Sequence, residues 1–100
     1  MRYRLVIRPD ALADIEQAAD WYDQQEQDLG SDFVSTVLAT LDSLPANPLI
    51  NQLRNRRRNV RWLLTHRFPY RIVYQMQGQL IVVVAVLHTA RKDRHWKRRV

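Results

Sequence analysis

The groups able to do chemistry lie in two stretches of the second half of the chain, "RFPYRIVY" (67–74) and "LHTARKDRHW" (87–96). They offer imidazole, phenol and guanidinium: Tyr70, Arg71, Tyr74, His88, Arg91 and His95. On an alternating strand, Arg71 projects from the opposite face to Tyr70, Ile72 and Tyr74. An arginine that early in a buried strand needs an acidic or anionic partner. His88 stands where a long apolar run ends, as a proton shuttle, a phosphate contact or a satisfied strand-end polar group. Arg91, Lys92, Arg94, Lys97, Arg98 and Arg99 are six bases in nine residues, ordinarily the mark of a loose tail. Trp96 argues otherwise, because a large aromatic has no use unless it packs. On this reading only Lys97 to Val100 are dispensable.

Other chemistries lack their residues. The chain has no cysteine, which removes disulfides, thiolate metal sites and thiol nucleophiles. His66, His88 and His95 show no His-x-x-x-His spacing on a helix, and Asp93 is the only carboxylate near them, so neither a metal nor another cofactor is expected. The two glycines, Gly30 and Gly78, cannot make a phosphate loop, and the basic half holds no carboxylate pair for acid–base hydrolysis. The longest apolar run, "LIVVVAVL" (80–87), is far short of the ~20 residues that span a bilayer. With no signal-peptide core at the N-terminus, the expectation is a soluble, cytoplasmic protein without a membrane partner.

Charge is segregated along the chain. Residues 1–42 hold nine acids and three bases, net −6, whereas residues 43–100 hold one acid and thirteen bases, net +12, giving the overall +6. A basic half favours an anionic partner, nucleic acid or acidic protein. The acidic half argues against a protein that coats DNA with its whole surface.

The elements that must position these groups follow from periodicity. A length of 100 residues, with 46% apolar and 26% charged residues, suits one soluble domain spanning residues 1–100. "RYRLVI" (2–7) alternates like a half-buried strand, and Pro9 with Asp10 opens a helix. Leu12, Ile15, Ala19 and Tyr22 form that helix's apolar face, and Gly30 ends it. Ser31 is expected to cap a second helix, with Phe33, Val34, Val37, Leu38, Leu41 and Leu44 as its stripe. Residues 45–59 read as a loop ending in the basic "RNRRRN". Three β-rich runs follow, "VRWLLTH" (60–66), "YRIVYQM" (70–76) and "LIVVVAVLH" (80–88), the last apolar on both faces as a central strand is. Val60, Trp62 and Leu64 are expected to share one face of the first run. The expected fold is α+β: an N-terminal strand and a helical hairpin packed on an antiparallel sheet of three further strands, the first strand joining at an edge or beside the last.

This order, with "ALADIEQAADWY" (11–22), "FPYRIVY" and the ending made by Val86, Leu87, His88, Arg91, Trp96 and Arg99, resembles the RelE/ParE superfamily of bacterial toxins over nearly the whole chain. The resemblance implies the toxin of a toxin–antitoxin pair, neutralised by a cognate antitoxin whose extended segment and helix wrap it. RelE-like members cut messenger RNA on the ribosome through attack of a 2′-hydroxyl on the adjacent phosphate. Their pattern maps Arg71, Arg91 and His88 here as catalytic. Their strand lysines fall on Trp62 and Leu64, with Arg61 and His66 as substitutes, and their late tyrosine falls near His95 and Trp96. ParE-like members trap DNA gyrase on cleaved DNA without bond-breaking chemistry of their own, and the His-x-x-Arg ending leans that way. A small basic nucleic-acid-binding module is the reading from a third class. The target- or antitoxin-binding surface is expected to be a basic concavity of Arg61, Arg71, His88 and Arg91, with Arg56, Arg57 and Arg58 at its rim and Arg94 and Trp96 alongside.

Overall fold

The computed structural model describes residues 2–100. Strand β1 (Arg4–Ile7) leads into α1 (Pro9–Gln25) and α2 (Leu29–Ser43). After a 3₁₀ turn at Leu44–Ala46 come β2 (Leu53–Asn55), β3 (Val60–Leu64), β4 (Tyr70–Gln77), β5 (Leu80–His88) and the one-turn helix α3 (Arg94–Lys97). The sheet order is β1-β5-β4-β3-β2. β5 is therefore interior, as its apolar run requires. β1 sits at the edge beside it and runs parallel to it, with Arg4 opposite Leu80 and Ile7 opposite Val83. The sheet is thus mixed and carries five strands, one more than the pattern shows. The extra strand, β2, lies inside the stretch read as a loop. Its three residues are too few to display a period, and it forms because Leu53 and Asn55 find β3 as a partner.

The helical hairpin covers one sheet face. Ala11, Ile15, Ala18 and Tyr22 of α1 and Phe33, Val37 and Leu41 of α2 are buried on Ile72, Tyr74 and Met76 of β4 and Ile81, Val83 and Val86 of β5. Each large side chain so covered contributes about 1.5–3 kcal/mol. Two details differ from the sequence pattern. Leu12 and Leu38 stay about half exposed, because the buried stripe of α1 runs through Ala11, Ile15, Ala18 and Tyr22 and that of α2 through Phe33, Val37 and Leu41, each beside the leucine rather than under it. Gly30 does not end α1: the break falls at Glu26 to Asp28, where Asp28 takes a left-handed φ of 67°, and Gly30 lies in the first turn of α2. Its N–H donates to Asp23 Oδ1 at 2.7 Å, so a carboxylate from α1, rather than Ser31, serves the start of α2. A Cβ on Gly30 would overlap the Ala19 carbonyl and the Asp23 carboxylate, and the helices cross closely because there is none.

The second face carries a smaller core of Val60, Val73, Val82, Val84, Ala85 and Leu87, sealed by Trp96 at 1% exposure. Trp62 packs on this core, whereas Leu64, expected on the same face, is 63% exposed where β3 outruns β2. A bulge lets β5 serve both cores. Val73 faces Ala85 while the next residue, Tyr74, faces Val83, so Val84 is the extra residue and the alternation changes phase.

Candidate functional site

The site grows from the place where β1 stops. Arg8 N–H makes the last contact with β5, to Val83 O at 3.0 Å, and Pro9 then starts α1 and takes the chain away from the edge. The outer edge of β5 from Val84 onward is left without a strand, and side chains take over its backbone groups. Arg99 Nη1 donates to Val84 O at 3.0 Å, and Val86 N–H donates to Asp14 Oδ2 at 3.0 Å. These two side chains also hold each other, with Arg99 donating to Asp14 at 2.6 and 3.1 Å. Arg99 is therefore not dispensable. The residues that make it a clasp are 85 positions apart in sequence, which no local pattern reveals.

Beyond this clasp α1 and β5 diverge around an open groove of about 520 Å³. Gln17, Ala18, Trp21 and Tyr22 form one wall, and Pro69, Tyr70, Val86, His88 and Arg91 form the other. Trp21 is 54% exposed. Tyr70 and His88 face each other across β4 and β5, their rings edge-to-face with centroids 5.4 Å apart. His88 Nδ1 accepts Ala90 N–H at 3.0 Å, which leaves Nε2–H as the donor. Burial pushes the Tyr70 phenol above its ordinary value, Tyr22 adds to that, and the Arg91 charge offsets part of it. At neutral pH it is an uncharged hydroxyl. The 65–70 turn fixes this wall: Thr65 Oγ1 donates to Phe68 O at 2.8 Å, and Thr89 N–H donates to Pro69 O at 2.8 Å.

Arg71 lies on the other face of the sheet and is engaged there through both Nη atoms, while its buried Nε has no hydrogen-bond partner among the described residues. Nη1 donates to Asp93 Oδ1 and Nη2 to Arg91 O, each at 2.7 Å. The guanidinium stacks 4.5 Å from the centroid of Trp62, whose ring also carries Arg54 at 4.4 Å. Asp93 Oδ1 further accepts Trp96 Nε1–H at 3.2 Å. Burial pushes the Asp93 carboxyl up. Hydrogen bonds from Arg71 and Trp96, with the charges of Arg71 and Lys97, outweigh it and hold the carboxyl below its ordinary range. Arg71 thus has the acidic partner its burial requires, and the partner is internal.

The structure divides the expected basic concavity. His88 and Arg91 share the groove, while Arg71 is behind the sheet. Arg61 Nη1 donates to Asn51 O at 2.8 Å and ties down the chain before β2. Arg56, Arg57 and Arg58 are exposed on the β2–β3 turn, which is shaped by Arg58 N–H donating to Asn55 Oδ1 and by a φ of 57° at Asn59. Arg94 is exposed on α3, and Trp96 is buried beneath it. Trp21, Gln17 and Asp14 escaped the sequence reading because they lie off the α1 stripe that packs on the sheet.

Residues 5–93 match the family described as "ParE toxin of type II toxin-antitoxin system, parDE". The chain belongs to the ParE toxin family. A solved structure from the chromosomal ParDE toxin–antitoxin system of P. aeruginosa is similar in fold, with a TM-score of 0.75 and 19% identity over 86% of this chain and 95% of that one. No curated protein matches the chain. Within the ParE-family fold, the groove between α1 and the free edge of β5 and the turn carrying Arg56 to Arg58 are the two exposed places where the expected site residues gather.

Proposed function

We propose that this ParE-family protein is a growth inhibitor held by a cognate antitoxin, and that it acts on DNA gyrase by binding rather than by breaking bonds. The observation that carries the reading is the state of Arg71. An RNA-cutting centre built on Arg71, His88 and Arg91 needs the three around one phosphate. Here the Arg71 guanidinium sits behind the sheet in an ion pair with Asp93, while His88 and Arg91 line an open groove between α1 and β5. The antitoxin is expected to lay an acidic, extended segment along that groove. β5 has no neighbouring strand on this edge beyond Val83, and a strand added along Val86 and His88 would take the Val86 N–H from Asp14.

Two assays on purified protein test the target: gyrase supercoiling with trapping of cleaved DNA, and cleavage of mRNA on translating ribosomes. The expected result is gyrase inhibition with accumulated cleaved DNA and intact mRNA. Ribosome-dependent cuts without gyrase inhibition overturn the reading. One observation favours RNA cleavage as the second reading: the groove gathers a phenol, an imidazole with a free Nε2–H and a guanidinium from Tyr70, His88 and Arg91. On that reading His88→Ala and Arg91→Ala each abolish RNA cutting with the fold intact, and unchanged cutting removes both residues from the chemistry.

A further inference from the structure

The sheet sorts charge by face. Nine of the ten acids lie in residues 10–42, in and between the two helices that cover one side. On the other side, Arg4 points away from the helices because Leu5 and Ile7 pack beneath them. Arg54 is stacked on Trp62 at the opposite edge. Gln75 Nε2–H donates to Arg58 O at 2.9 Å and draws the basic turn toward this side. α3, seated here through Trp96, leaves Arg94, Lys97 and Arg98 exposed. Among the described residues none of these six cations is in an ion pair. The only acidic side chain on this face among the described residues, Asp93, is committed to Arg71.

We infer that this face, opposite the helices and separate from the groove, binds the phosphate backbone of duplex DNA. Arg4 and Arg54 are four strand spacings apart, ~19 Å at about 4.8 Å each, too broad for a single small anion. Duplex DNA, with one charge every ~1.7 Å along its axis, presents many phosphates over that width. The aromatic groups decide between duplex and single strand. Single-stranded nucleic acid binds by stacking bases on free rings. Here Trp62, on the strand between β2 and β4, carries a guanidinium from each neighbour, and Trp96 is buried. Among the described residues neither tryptophan on this face is free to take an unpaired base. The stack instead pre-orients the Arg54 guanidinium, whose in-plane N–H groups suit phosphate oxygens. The acidic helical layer turns away from the same duplex, so binding is one-sided. The inference does not depend on gyrase being the target. If gyrase is, this face is the part that meets the DNA.

The test is fluorescence anisotropy of the full chain with a short labelled DNA duplex of mixed sequence over a salt series. Three proteins are compared: the unchanged chain, an Arg4→Gln/Arg54→Gln variant, and an Arg67→Gln/Lys92→Gln variant that removes two exposed cations not counted on this face. All three are checked by circular dichroism, and gyrase inhibition is assayed separately. The expected result is about tenfold weaker binding for the first variant, with the log–log salt slope flattened by about one for each arginine removed. The second variant should bind nearly as the unchanged chain does. Equal weakening by both variants means undirected attraction to a basic protein and overturns the inference. So does tighter binding of a single strand of the same length, or displacement of the duplex by a Glu-rich peptide at lower concentration than by unlabelled duplex. Loss of duplex binding with gyrase inhibition retained sinks only a DNA role in that inhibition, and loss of both in the first variant supports it.

Discussion

At the scale of single residues, two hydrogen-bonded guanidinium–carboxylate pairs hold the C-terminal segment, with Asp10 a more distant partner of Arg99 at 3.9 Å, and the two differ in kind. Asp14 and Arg99 are largely shielded, and Asp14 also accepts Val86 N–H. Asp14→Ala leaves a strand-edge N–H without its partner and leaves the guanidinium only Val84 O and the more distant Asp10. The expected loss is about 1.5–3 kcal/mol, measured by urea unfolding. Asp93 is more open and answers to pH. Its carboxyl is held below its unfolded value, so its contribution is present above the ordinary carboxylate pKa and is lost as pH falls through the lower folded value. Asp93→Asn should therefore be less stable than the unchanged protein at neutral pH. The gap should close in acid below the ordinary carboxylate range, and a gap that stays constant with pH would remove the ion pair as its cause.

At the scale of elements, two junctions set the geometry of the groove. The α1–α2 crossing depends on the missing side chain at Gly30. Gly30→Ala must push the helices apart, because the added Cβ meets the Ala19 backbone carbonyl as well as the Asp23 carboxylate, at an expected cost of about 1–3 kcal/mol in thermal or chemical unfolding. The α3–sheet junction depends on Trp96, which covers the second core and donates to Asp93. Trp96→Ala should cost about 3–5 kcal/mol and free the C-terminal segment. Hydrogen exchange is expected to show Leu87 to Arg91 losing protection in this variant before the helices do. The elements explain the site residues as well. His88 and Tyr70 meet because β4 and β5 pair in that register, while Arg71, one residue on, is carried to the other face by the same pleat.

At the scale of the whole molecule, the protein is a charged bilayer with acids in the helical layer and unpaired bases across the sheet. Association with an acidic antitoxin is expected to slow steeply as salt rises, because long-range attraction acts on the encounter more than on the final contacts. Stopped-flow measurement in a salt series checks this, and an association rate indifferent to salt would count against an acidic contact surface. Much of this was legible in the linear sequence. Strand alternation, the helical stripes, the interior place of the "LIVVVAVL" strand and the need of Arg71 for an acid all follow from residue type and period, which are local properties. So does charge segregation, since nine of the ten acids precede residue 43 and most bases follow it. The three-residue β2 and the bulge at Val84 were not legible, because neither is long enough to carry a period. Tertiary structure alone decided that Arg99 clasps Asp14, that Arg71 spends its charge on Asp93, and that His88 and Arg91 keep a groove with Trp21. Each pairs groups distant in sequence, and which distant groups meet is settled by where β1 ends and how β5 is flanked. The basic ending "ARKDRHWKRRV" reads from sequence as either a tail or a surface; the fold makes it a surface by burying Trp96 and locking Arg99 to the first helix.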